Sequence, residues 1–423
     1  MVASLKRPSR TGDAMTNSLS RRHFLQAGTA SLAMWGLMPR RASASMGDPR
    51  LLTVILRGAL DGLSLAAPVG DPAYADLRGS LALKKPGDGP GAGLPLDSLF
   101  VLNPGMPFLH ALYEKRQALI VHATASPYRE RSHFDGQDML ESGLPSQGKI
   151  TDGWLNRALA GMTHEGAVSR EGLGIGAIVP LVMRGSAPVM SWIPKTIRLP
   201  LRESTIARLT DLYAATDPGL AKAFKEGIAI ERIAGTGGAI VGKLQPDDPR
   251  RRFRPFIEAA EAAARLMSSP SGPRIGALAY DGWDTHANEG AAGGQLSTRL
   301  QGLDLAIKSF VDGMGPAWSE TAVVIITEFG RTVRVNGTAG TDHGTATTAI
   351  LIGGKVNGGR VIADWPGLHE KALYEGRDLA PTTDLRAMLK GVLADHLDVP
   401  RRVLDDIVFP ASAAARPMTG LFA

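Results

Sequence analysis

The chain has 423 residues, with 47 Lys and Arg against 41 Asp and Glu, a formal charge of +6, and no cysteine. Without cysteine there are no disulfide staples, no thiolate metal sites and no thiol catalysis. The basic excess sits at the start: residues 1–44 hold seven Lys/Arg and one acid, and the remainder carries 40 of each sign, which gives no ground for nucleic-acid binding or an anionic membrane partner.

Ser20-Arg21-Arg22-His23-Phe24-Leu25 is a twin-arginine pattern, followed by an apolar stretch from Leu25 to Met38 and the small-residue box Ala42-Ser43-Ala44. This predicts a signal peptide over 1–44, cut after Ala44 and handed to the twin-arginine translocase, and so a periplasmic or secreted protein. The apolar run is too short, and too interrupted by Gly28 and Gly36, for a stable membrane span. The remaining residues, 45–423, read as one domain with insertions at about 71–99 and 195–270, long enough to build a core without staples.

Residues 51–57, LLTVILR, form the first strand, apolar nearly throughout as a parallel strand covered on both faces should be. The glycine-flanked turn after it carries Asp61, which suits a metal or catalytic position as well as a turn or cap. Residues 71–99 read as an irregular excursion with Tyr74 and Arg78 as pocket contacts. Asn103-Pro104 predicts a helix start running to about Arg116. A second strand covers Ala118–Thr124, and a helix begins at Ser132, with Arg131, His133 and Asp135 in the same turn. Ser132 is either an N-cap or a nucleophile whose oxygen lies at a helix N-terminus.

A short helix is expected from Trp154 to Met162, and strands at 172–179 and 187–192. Helices near 203–233 and 250–267 read as covering layers without visible chemistry. After the strand Ile275–Tyr280, the loop AYDGWDTHANEG brings Asp284 and His286 two residues apart, ahead of a helix over 295–314. Thr321–Thr327 predicts a buried central strand, followed by Glu328, Gly330 and Arg331, and then by a glycine-rich loop carrying Asp342 and His343. Strand-following loops are where an open α/β sheet places its ligands. Carboxylates and imidazoles clustered there suit a divalent metal ion (Zn, Mn, Mg or Ca). The segment 356–368 reads as a hairpin-like or looped excursion, Asp384 as the cap of a final helix, and His369 and His396 as solvated or packing residues.

The twin-arginine leader, Arg-Gly-Ala-Leu-Asp-Gly after the first strand, Ser-His-Phe-Asp, Trp-Asp-Thr-His, Thr-Glu-Phe-Gly-Arg and Gly-Thr-Asp-His-Gly together resemble the exported bacterial "domain of unknown function 1501" family. That family is similar to the alkaline phosphatase-like superfamily of sulfatases and metal-dependent phosphoglycerate mutases. The resemblance implies a three-layer α/β/α sandwich with a mostly parallel sheet and a divalent-metal pair. It also implies a metal set drawn from Asp61, Asp284, His286, Glu328 and His343, with Ser132 as the hydroxyl nucleophile. Phe329 stands where the superfamily carries a second ligand histidine, so one metal site is expected to be altered, with Asp342 as a replacement ligand.

The expectation is an exported hydrolase or transferase acting on a small phosphate or sulfate ester, with Ser132 attacking and Arg57, Arg131 and Arg331 clamping the anion. Its competitors are a non-catalytic binding or assembly protein on the same scaffold, and a purely structural metal.

Overall fold

A computed structural model describes residues 47–148, 150–162, 172–194, 203–234, 245 and 247–423. The leader, with Arg21, Arg22 and the cleavage box, lies outside them. Asp48–Ala423 forms one compact unit.

The central sheet contains β1 (Arg50–Arg57), β2 (Ala118–Ala125), β3 (Gly172–Ile175), β4 (Val189–Trp192), β5 (Ile275–Asp281), β6 (Thr321–Ile326), β7 (Thr347–Gly353), β8 (Arg360–Ile362) and β9 (Thr383–Asp384). Across the sheet the order is β8-β2-β7-β6-β1-β5-β3-β4, with β9 also pairing with β2. Only the two pairings made by β7 are antiparallel. The helices used below are α1 (Pro107–Glu114), α2 (His133–Ser142), α3 (Trp154–Gly161), α4 (Glu203–Thr216), α5 (Pro218–Ala234), α6 (Arg254–Ser268), α7 (Gln295–Met314) and α8 (Leu385–Leu397).

Side chains of a strand alternate between faces, and both faces here are apolar. Leu52, Val54 and Leu56 of β1 join Val323 and Ile325 of β6 in the core under α1, α6 and α7. Leu51 and Ile55 join Val324 and Ile326 in the opposite core, under α3 and α8. That double cover is why these strands read as unbroken apolar runs. The expected three-layer α/β/α sandwich with a mostly parallel sheet is the architecture the chain adopts.

Three elements differ from the sequence reading. Helix α1 starts at Pro107 with Met106 at its N-cap, not at Asn103-Pro104. The Asn103 side chain is buried instead, donating to the Ser64 and Ala291 carbonyls and accepting from Gly105 N–H. The 71–99 excursion holds the helix Tyr74–Arg78, and its strand Leu94–Pro95 pairs with Val101–Leu102, which in turn pairs with Ala66–Ala67. Segment 356–368 contributes β8, which extends the sheet beside β2.

Sheet polarity positions the site. Strands β1, β5 and β6 end on one edge, where the loops starting at Gly58, Gly282 and Thr327 begin. Because β7 runs in reverse, the 341–344 loop that precedes it arrives at the same edge. The turn leading from β2 into α2 arrives there as well.

Candidate metal centre

At that edge Asp284 Oδ1 is surrounded by imidazole nitrogens. It lies 3.0 Å from His286 Nε2, 3.3 Å from His343 Nε2 and 3.4 Å from His133 Nε2. His286 Nε2 and His343 Nε2 are 3.0 Å apart. His133, Asp284 and His343 each offer a ligand atom within 4.8 Å of the others. Bonds of about 2.0–2.1 Å to a tetrahedral ion put ligand atoms roughly 3.3 Å apart, close to the spacing of Asp284 Oδ1 from each imidazole and of His286 from His343.

Each histidine is held at its other nitrogen by a different acceptor. His133 Nδ1–H donates to Glu328 Oε1 at 2.8 Å. His286 Nδ1–H donates to Asp342 Oδ1 at 3.2 Å. His343 Nδ1–H donates to the Arg131 carbonyl at 2.8 Å, with Arg131 in the left-handed region at φ 60°. Fixing Nδ1–H in this way leaves Nε2 as the free donor, the arrangement that orients metal-bound histidines. His133 Nε2 is buried and has no hydrogen-bond partner. A bare imidazole nitrogen of that kind, next to two others and a carboxylate, fits a bound cation.

The backbone closes tightly around this cluster. A Cβ on Gly58 would lie 2.6 Å from Asp284 N, and one on Gly340 would lie 2.4 Å from the His286 carbonyl. Below the imidazoles, the Phe329 ring stacks on His133 at 5.1 Å and tilts against His343 at 5.2 Å. Hydrogen bonding to Glu328 raises the His133 imidazole above its ordinary value, whereas burial holds His343 below it. Burial alone would push Asp284 and Glu328 up. Arg331 together with His286 and His133 offsets it at Asp284, and hydrogen bonds from His133, Gly58 N–H and Thr327 together do so at Glu328, so both carboxyls stay below the usual range.

Residues 115–408 match the family model described as "Protein of unknown function (DUF1501)". The chain belongs to this family. No curated protein matches it. Among solved structures it is similar to Ps i-CgsB in complex with k-i-k-neocarrahexaose (11% identity, 87% of this chain and 77% of that one, TM-score 0.41). It is also similar to the phosphonate monoester hydrolase of Agrobacterium radiobacter (12%, 83% and 74%, 0.37). A third is the PsFucS1 sulfatase from Pseudoalteromonas sp. (12%, 81% and 68%, 0.32). Likeness at this level assigns no chemistry to the DUF1501 chain.

The geometry sorts the predicted site residues of this DUF1501 protein into groups. Asp284, His286 and His343 come together as expected, joined by His133, which the sequence reading placed in the Ser132 turn without a ligand role. The signal was available, since a helix-start histidine beside the candidate nucleophile is well placed to face the same loops. Glu328 and Asp342 stand one step back, each holding a histidine. Glu328 also accepts from Gly58 N–H, Gln137 and Thr327, so its oxygens are already occupied.

Asp61 is placed elsewhere. It is fully buried, caps the turn Gly62–Leu65, accepts from Ser64 Oγ and pairs with Arg78. Arg78 and Tyr74 are likewise buried, the Tyr74 hydroxyl accepting from Leu83 N–H.

The predicted anion clamps are also committed. Arg331 donates to the carbonyls of Ala59, Gly58, Thr341 and Trp283 and to Asp284 Oδ1, so that all three guanidinium nitrogens are engaged by internal partners. The Arg131 guanidinium is bound by Asp378 and Glu375, and Arg57 by Glu141. Ser132 occupies the N-cap position of α2 without making a capping bond, directly beside His133.

Proposed function

We propose that this DUF1501 protein is an exported, metal-dependent hydrolase or transferase acting on a phosphate or sulfate ester. The observation that carries the reading is the convergence of three Nε2 atoms on Asp284 Oδ1, with every Nδ1 tied back and His133 Nε2 making no hydrogen bond. His133, His286, His343 and Asp284 would hold the ion. Three imidazoles with one carboxylate suit a borderline ion such as Zn better than Ca or Mg, which favour all-oxygen sets. Such an ion supplies charge neutralisation of the transferring group and acidifies a bound hydroxyl.

The remaining work falls to the chain. Ser132, with its hydroxyl free of the helix cap, is the nucleophile in this reading. The uncapped first turn of α2 offers backbone N–H groups for the ester's non-bridging oxygens. Glu328, Asp342 and the Arg131 carbonyl keep the imidazoles aimed, while Arg331 pins Asp284 from behind. The Ser20-Arg21-Arg22 leader supports export through the twin-arginine route.

A second reading, a metal-bearing binding or assembly protein without turnover, draws on the commitment of Arg131 and Arg331 to internal partners, which leaves no obvious guanidinium clamp at the centre. Elemental mass spectrometry of the purified protein, coupled to assays on aryl phosphate, phosphodiester and aryl sulfate, separates the two. About one divalent ion per chain with chelator-sensitive turnover, both lost in His343→Ala, is expected. Metal retained with no turnover on any ester selects the second reading. Wild-type metal content in His343→Ala overturns the ligand set.

A further inference from the structure

With Arg57, Arg131 and Arg331 all bound to internal partners, a group at the metal centre must find its hydrogen-bond donors elsewhere. Tyr128 is placed to be one. It lies in the turn between β2 and α2, where Tyr128 N–H donates to Ser126 Oγ at 3.3 Å and Arg129 donates to the Tyr128 carbonyl at 2.7 Å. The residue is only 8% exposed and belongs to a small buried cluster with Ala59, Met139 and Phe329. Phe329 is the ring that stacks on His133 and tilts against His343, so this cluster underlies the imidazoles. The phenol oxygen reaches the start of α2, where it accepts from Ser132 N–H at 3.0 Å.

That bond uses the phenol as an acceptor. Its own O–H has no acceptor among the described residues. A donor left over on a side chain this buried calls for a partner. Covalent geometry keeps the Ser132 Oγ within roughly 4 Å of the Ser132 nitrogen, so the phenol and the proposed nucleophile are no more than roughly 7 Å apart. They are not hydrogen-bonded to each other, and the Ser132 hydroxyl makes no cap bond. A tetrahedral ester group fits between them. Attack needs Oγ about 3–3.5 Å from the phosphorus or sulfur, and an O–H···O bond to one of its other oxygens takes about 2.7 Å.

We infer that the Tyr128 hydroxyl donates a hydrogen bond to a non-bridging oxygen of the ester group held at the metal centre. This rests on the hydrolase reading for the ester, but the donor can be tested on a bare oxyanion. Tyr128 is a catalytic residue in the sense that it touches the transferring group. It keeps its proton throughout, and charge developing on the oxygen strengthens the bond in the transition state. The group is then held by neutral donors, the phenol and the first-turn N–H groups of α2, where the sequence reading expected guanidiniums.

The experiment compares metal-loaded wild type with Tyr128→Phe, which keeps the ring in its cluster and removes the O–H. Calorimetry measures binding of inorganic sulfate and of inorganic phosphate, and kcat and KM are measured on aryl sulfate and aryl phosphate. The variant should bind the preferred anion about tenfold more weakly and lose about 10–100-fold in kcat, with its metal content unchanged. Unchanged anion affinity and kcat overturn the proposal. So does a loss accompanied by loss of metal, because that marks a purely structural role for the bond to Ser132 N–H. A second measurement needs no deletion of the hydroxyl: wild type carrying 3-fluorotyrosine at position 128 alone is followed by fluorine NMR. Its resonance should move when sulfate or phosphate is added to the metal-loaded protein, and no movement with either overturns the proposal. If no ester is turned over while the anion arm gives the expected loss, the hydrolase reading fails and the Tyr128 donor stands.

Discussion

At the scale of single residues, the centre depends on which nitrogen of each histidine is tied down. Asp342 and Glu328 touch no ion in the proposed arrangement; they hold His286 and His133 with Nε2 inward. Asp342→Asn and Glu328→Gln should therefore leave a folded protein with metal affinity lowered about 10–100-fold, read by chelator competition. A different outcome is expected at the buried trio Asp61, Arg78 and Glu289. Burial and the neighbouring Asp61 push the Glu289 carboxyl up to about 8, so at neutral pH it is largely protonated. Arg78 holds Asp61 ionised, below its ordinary value and against its burial. Glu289→Gln should thus be nearly neutral in urea denaturation, whereas Asp61→Asn strands the Arg78 charge and should cost about 3–5 kcal/mol. Equal effects of the two substitutions would contradict this charge assignment.

At the scale of elements, the clearest lesson comes from α1. Its N-terminus is capped from far away in the chain: Asp304 of α7 accepts from Phe108 N–H at 2.9 Å and Leu109 N–H at 2.8 Å. Local reading puts the cap at Asn103 because N-cap rules see only neighbours in sequence. Burial raises the Asp304 carboxyl from 3.8 to about 6. Between those values the folded state keeps a proton that the unfolded chain has released. This contribution to stability is therefore greatest below the unfolded value and falls as pH rises through the folded one, by about 2–3 kcal/mol at most. Asp304→Asn should flatten that limb of the stability–pH curve. Arg331 ties together the loops after β1, β5 and β6 and the loop before β7, and Arg331→Met would leave four carbonyls and Asp284 without it. A loss of about 3–5 kcal/mol is expected, together with loss of metal.

At the scale of the whole molecule, the proposed ligands come from three separate stretches: His133, the pair Asp284 and His286, and His343. An ion binding all of them would favour the folded state alone, so saturating metal should raise Tm and a chelator should lower it, by up to about 4 kcal/mol at a thousandfold excess over Kd. No chelator effect on Tm would argue against a bound ion. Among the described residues no helix is long and apolar enough to cross a membrane.

Strands β1 and β6 were legible because runs such as LLTVILR and TAVVII state their two-sided burial locally, and the helix at Ser132 announced itself through its own turn. The post-strand acids and histidines were also legible as a set, since sheet polarity sends strand-following loops to one edge. Their division of labour was not. Asp61, Glu328 and Asp342 look alike as loop carboxylates, yet one meets Arg78 while the other two meet histidines. Those partners lie 17, 195 and 56 residues away along the chain. The sequence by itself determined the long buried strands β1, β2, β5 and β6, their two-sided cover and the edge where the chemistry gathers, because hydrophobic periodicity and polarity act over a few residues. Only the tertiary structure decided that His133 completes the cluster, that Arg331 is a buried tie and that Asp61 serves Arg78, because each outcome rests on contacts fixed by packing rather than by spacing.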